Sequence, residues 1–212
     1  MKKRIPPLSL DELRSLYKQR RAAIRKRLKE FEDVPQSEYF YELVYCLLTP
    51  QSSAVNAGKA VQLLRKHDFR NVNINPERLL HQKEFYIRFH KTKAKHLIAF
   101  KDQFTIINDH LSNGSSSVEL RVWLVKNVKG MGWKEASHFL RNIGHRELAI
   151  LDRHILKNLL RVGALRSLPK TLTSKHYSAI EHKFKQFSAQ VNIPMDELDL
   201  LFWSMETGEI LK

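Results

Sequence analysis

The segment Val128-Lys129-Gly130-Met131-Gly132-Trp133-Lys134 sets two glycines around a single residue and follows them with a lysine. A glycine turn lets the backbone approach a ligand closely and point its N–H groups at an anion. Both flanks read as helix. Ser116 and Glu119 form a capping box that opens a helix to Asn127. Beyond the turn, Ala136, Phe139, Leu140 and Ile143 recur at i, i+3, i+4 and i+7, the buried stripe of a second helix. Lys134, His138 and Arg141 fall on another face. Gly144 stands where a C′ glycine ends such a helix. Residues from about 118 to 144 thus make a helix, a Gly-x-Gly turn and a helix. The N–H groups of that turn and the second helix N-terminus suit a phosphate and read no base. Alone, the pattern fits a purely structural turn as well.

The rest of the chain reads as helix too, so the fold class is all-α. Ser9 and Glu12 form a capping box opening a long helix to about Glu32. Its Arg20, Arg21, Arg25, Lys26, Arg27 and Lys29 read mostly as a solvated face. Tyr39 to Leu48 is apolar nearly all round, which predicts a central helix ended by Pro50. Further helices are expected over Ala54 to Leu64, after Asn75-Pro76, and over Thr92 to Leu111. Asp152 begins another, Thr173 caps one more, and Pro194 opens the last, to about Met205. Asn113-Gly114-Ser115-Ser116-Ser117 is the one low-complexity stretch, and a subdomain boundary is expected near 113–117.

Composition narrows the function. Lys and Arg outnumber Asp and Glu by 37 to 22, a formal net charge of +15. Such an excess favours a polyanion as partner. No run approaches the ~20 apolar residues of a membrane span. The start, Met1-Lys2-Lys3-Arg4-Ile5-Pro6-Pro7, lacks the apolar run of a signal peptide. The lone Cys46 leaves no intramolecular disulfide and no cluster of three or four Cys ligands. The expectation is an intracellular protein, of the cytoplasm or nucleoid in a prokaryote, without metal or cofactor.

With Asp152 a helix and a loop after Lys134, the hairpin resembles that of the helix-hairpin-helix DNA glycosylase superfamily. Gly130, Gly132, Lys134 and Asp152 match that family in type, order and spacing. Leu47-Leu48-Thr49-Pro50-Gln51-Ser52 is similar to its early Leu-Leu-Ser-x-Gln motif. The ending Trp203-Ser204-Met205-Glu206-Thr207-Gly208-Glu209-Ile210-Leu211-Lys212 is similar to that of the type 2 group of 8-oxoguanine DNA glycosylase/AP lyases. The resemblance covers nearly the whole chain. It implies one helix-hairpin-helix glycosylase unit over 1–212, built of two helical subdomains with the active-site cleft between them. It implies a monomer that removes 8-oxoguanine from double-stranded DNA through a lysine Schiff base and β-elimination. A noncatalytic DNA-binding hairpin module is the alternative, with Lys134 as one more phosphate contact. Processing of thymine glycol or mismatches is disfavoured by the missing cysteine cluster and by the lysine ending.

The resemblance also implies site residues. Lys134 is the nucleophile, and a positive helix end would favour the neutral amine that attacks. Asp152 stabilises charge on the sugar, while also suiting a helix N-cap. Gly130, Gly132 and His154 contact phosphate; His154 reads equally well as a surface histidine. Gln51 fills the gap left by the flipped base, or else meets solvent before a helix. Trp203 and Phe89 stack on that base, although a tryptophan in so apolar a helix is more often core. Lys212 recognises the oxidised base, against the usual frayed terminus.

Overall fold

The computed structural model describes residues 6–210. In chain order its helices are α1 (Leu10–Glu32), α2 (Tyr39–Leu48), α3 (Ala54–Lys66), α4 (His90–Leu111), α5 (Ser117–Asn127), α6 (Trp133–Asn142), α7 (Arg153–Arg161), α8 (Ser174–Val191) and α9 (Met195–Thr207). The stretch after Asn75-Pro76 is a 3-10 turn, Pro76–Leu80, rather than an α-helix. Two compact units result. One takes the chain up to Asp33 and resumes at Gly144, and the other is Val34–Ile143. The Asn113–Ser117 stretch therefore joins two helices of the same unit and does not divide the chain. Its polar residues serve turn and cap: Asn113 Oδ1 accepts from Ser115 N at 3.0 Å, and Ser116 closes the expected capping box of α5.

In the Val34–Ile143 unit, α2 is the centre. Every residue from Phe40 to Leu48 is buried, as its all-round apolar character requires. Phe40 meets Phe100 at 4.9 Å and Tyr41 and Phe104 edge-on at 5.0 and 5.1 Å. Each such buried ring contributes roughly 1.5–3 kcal/mol over an exposed one. α6 packs on α2 and α5. His138 and Arg141, expected on a separate face, are buried instead. α2 covers that face: Tyr45 lies edge-on to His138 at 5.9 Å, and Asn142 Nδ2 donates to Glu42 Oε2 at 3.2 Å. Arg141 Nε donates to Asn142 Oδ1 at 3.2 Å. Such polar groups can be buried because they are paired.

In the other unit, α9 is buried from Met195 to Phe202 and packs on α1, α7 and α8. Part of the basic face of α1 is spent here. Arg25 Nε donates to Glu197 Oε1 at 3.1 Å, Arg20 Nη1 donates to Ser204 Oγ at 2.7 Å, and Tyr17 donates its hydroxyl to Glu197.

Candidate functional site

The hairpin turn needs its first glycine twice over. Gly130 has φ +88°, and a methyl group there would lie 2.2 Å from His96 Nδ1. Met131 N donates to Val128 O at 3.1 Å and closes the turn. Gly132 is the N-cap of α6 and offers no side-chain acceptor to the first-turn N–H groups. The Glu135 carboxylate folds back over it, with Oε2 2.8 Å from where a Gly132 methyl group would stand, as the positive end of a helix favours an anion. Buried Arg121 braces the hairpin: its Nη1 donates to Ser137 Oγ at 3.2 Å and its guanidinium lies 4.9 Å from the Trp133 ring centre.

Lys134 stands in the first turn of α6. Its surroundings are not uniformly basic, because Glu135 Oε1 lies 3.1 Å from its Nζ. Lys93, on α4, is the nearby cation. Burial first, and then the Lys134 charge, push Lys93 down to about 8 against the pull of Glu135. Its Nζ donates to Leu48 O at 2.7 Å, Pro50 O at 2.6 Å and Ser52 Oγ at 3.3 Å. Between these acceptors sits Gln51, exposed and in left-handed backbone with φ 55°. Phe89 is left-handed too, with φ 59°. It is the N-cap of α4, which is why that helix begins at His90 rather than Thr92. Its ring is 51% exposed, with the Arg88 guanidinium 5.0 Å from its centre.

In the other unit, Asp152 is the N-cap of α7. Its Oδ1 accepts from His154 N and Ile155 N, both at 2.8 Å. Its Oδ2 accepts the Trp203 indole N–H at 3.0 Å. The segment leading to Asp152 is pinned by α8. Tyr177 donates its hydroxyl to Ala149 O at 2.6 Å and accepts from Leu151 N at 3.2 Å, and Glu181 accepts from Ala149 N at 2.8 Å. The Trp203 ring is partly exposed and meets the His154 ring edge-on at 5.9 Å. His154 also accepts from Arg153 Nε at 3.2 Å. Glu206, one turn beyond Trp203, ties α9 to α7 through Lys157 Nζ at 2.7 Å and Asn158 Nδ2 at 3.3 Å. Burial alone would raise the Glu206 carboxyl, but Lys157, Asn158 and the His154 charge outweigh it and hold it below its ordinary value.

Asp152, His154 and Trp203 thus form one cluster, while Lys93 sits beside both Lys134 and the Gln51 turn. Lys212 lies outside the described residues. Sequence reasoning passed over Lys93, Glu135, Tyr177 and Glu206. Only Lys93 left a signal: it falls on the apolar stripe of α4 with Leu97, Phe100 and Phe104, where an unpaired lysine would be costly.

Comparison with known proteins identifies the family. The family model for 8-oxoguanine DNA glycosylase, Ogg-HhH, matches residues 24–193. An 8-oxoguanine DNA glycosylase/AP lyase of Fusobacterium nucleatum is 43% identical, over 95% of this chain and 97% of that protein. The Methanocaldococcus jannaschii protein of the same description is 33% identical, over 99% and 98%. The crystal structure of the M. jannaschii enzyme in complex with 15mer DNA containing 8-oxoguanine superposes with a TM-score of 0.84 at 31% identity, covering 96% of this chain and 99% of that one. The chain belongs to the 8-oxoguanine DNA glycosylase family of helix-hairpin-helix proteins.

Proposed function

We infer that this protein is a base-excision repair enzyme, an 8-oxoguanine DNA glycosylase with AP lyase activity. The observation that carries the reading is Lys134 in the first turn of α6, directly behind a turn that requires glycine at position 130. The same description on relatives that match nearly end to end supports it. Duplex DNA as substrate implies work inside the cell, and we read the enzyme as a monomer.

In the proposed mechanism Gly130 and Gly132 hold a backbone phosphate, with His154 as a further contact. Gln51 enters the stack where the damaged nucleotide leaves it. Phe89 and Trp203 flank the extruded base, and Lys212 reads its oxidised edge. Oxidation turns guanine N7 from acceptor to N–H donor, so a reader must offer an acceptor that guanine would leave unpaired. Only a neutral amine attacks, so Lys134 gives up its proton before the bond to the sugar forms. Nitrogen then bonds to C1′ while the glycosidic C–N bond breaks, its electron pair leaving with the base, which takes up a proton. Asp152 stabilises the positive charge that develops on the sugar. The nitrogen sheds a proton and its lone pair forms the C1′=N bond as the C1′–O4′ bond breaks, O4′ keeping that pair and taking up a proton, so that the opened sugar is a Schiff base. Loss of a C2′ proton breaks the C3′–O bond, the pair leaving on the 3′ phosphate, and water releases the lysine.

Borohydride trapping on a duplex with one 8-oxoguanine tests the reading. A covalent adduct with the wild type and none with Lys134→Gln is the expected result. No adduct with the wild type would leave a DNA-binding module. Nicking by Lys134→Gln at the wild-type rate would assign the chemistry to another amine.

A further inference from the structure

Gln51 and Phe89 are both non-glycine residues in left-handed backbone, and both are exposed. An L-residue there is strained and persists where the surroundings over-determine it. Two side chains supply that constraint. Ser52 Oγ, next to Gln51, accepts from Arg88 N at 3.0 Å, next to Phe89. The same oxygen accepts from Lys93 Nζ, whose other two donors go to Leu48 O and Pro50 O, both just before Gln51 in the chain. An ammonium has three donors, and all three are used. Leu48 O belongs to the last turn of α2, where carbonyls lack helical partners and a cation is favoured. Lys93 is only 6% exposed, so this charge is buried against its desolvation cost. Asn56 Nδ2 adds a fifth tie, donating to Tyr86 O at 3.2 Å.

We propose that Lys93 and Ser52 are positioning residues that lock the Gln51 turn to the Phe89 turn, so that the side chain entering the DNA stack and the ring receiving the base are set as one rigid pair. Neither touches the reacting atoms. The proposal rests on the roles given above to Gln51 and Phe89, and the experiment separates the two.

Single-turnover excision of 8-oxoguanine is measured for Lys93→Met and Ser52→Ala, each alone and combined with Gln51→Ala plus Phe89→Ala. A 2-aminopurine opposite the lesion reports entry of Gln51 by its fluorescence. Lys93→Met should slow excision at least tenfold in the wild-type background and less than about threefold in the Gln51→Ala/Phe89→Ala background, since coupled residues do not add. Ser52→Ala, a small change beside an exposed turn, should show the same pattern more weakly if Lys93→Met fails to fold. Both should blunt the fluorescence change on lesion binding. Equal slowing in both backgrounds would overturn the positioning role and leave a direct effect on Lys134. Wild-type excision by the Gln51→Ala/Phe89→Ala variant would instead sink the roles of those two residues, and the proposal with them.

Discussion

Trp203 donates its indole N–H to Asp152 Oδ2 at 3.0 Å, while the other oxygen of that carboxylate caps α7. The carboxylate is thereby held from two sides, by its own helix and by α9. Trp203→Phe keeps a ring and removes the donor. A hydrogen bond to a charged group contributes about 1.5–3 kcal/mol, so base excision should slow by about ten- to a hundredfold while lesion binding stays within about twofold. Trp203→Ala should in addition weaken lesion binding by ~1–3 kcal/mol through lost stacking. If Phe and Ala variants excise equally slowly and bind equally well, the ring does not meet the base.

Asp152→Asn separates cap from catalysis. Asparagine is as good an N-cap as aspartate, but its amide nitrogen cannot accept the Trp203 N–H, so the melting temperature should fall no further than Trp203→Phe lowers it. A neutral amide cannot stabilise a developing cation, and excision should fall by several orders of magnitude. A drop of less than about tenfold, ~1.4 kcal/mol of barrier, would leave Asp152 a helix cap alone.

Gly130→Ala meets two obstacles, a left-handed φ and the His96 ring. The first costs about 1–2 kcal/mol. Thermal melts and filter binding to undamaged duplex should both show loss. Adding His96→Ala removes the clash and leaves the backbone strain, so it should recover only part of either. A Gly130→Ala protein that melts and binds like the wild type would show that the turn does not need its glycine.

Glu206 predicts an acid-sensitive anchor for α7. Its folded carboxyl titrates below the ordinary 4.5. Its contribution is therefore complete above the unfolded value and is lost as pH falls through the folded one. Glu206→Gln should melt lower at pH 7, by on the order of 5 °C, and the gap should narrow progressively as pH falls below the ordinary carboxylate value of 4.5. A gap that does not change with pH down to acid unfolding would mean that packing, not charge, holds this contact.

Helix ends were legible because capping is local chemistry. The boxes at Ser9/Glu12 and Ser116/Glu119 form as expected, and Asp152 caps α7. Gly144 follows α6 with φ +94°. What escaped the sequence depends on partners far along the chain. Trp203 meets Asp152 across 51 positions, and Lys93 reaches acceptors 41 to 45 positions away. The early start of α4 follows from the conformation of Phe89, which no propensity favours. The unit boundaries at Asp33 and Gly144 lie beside helix ends without any shift in composition, whereas the serine-rich stretch that drew attention is an ordinary connection.

The discontinuous unit sets an order for synthesis. Val34–Ile143 is contiguous, so it can fold as soon as it leaves the ribosome, complete with its hairpin and Lys134. α1 emerges first yet waits longest. Its partners Glu197 and Ser204 lie 172 to 184 residues downstream. Until α9 arrives, α1 exposes Leu13, Ile24, Leu28 and Phe31, all buried in the finished fold. A nascent chain therefore carries the Gly130 turn before it has assembled the unit that bears Asp152.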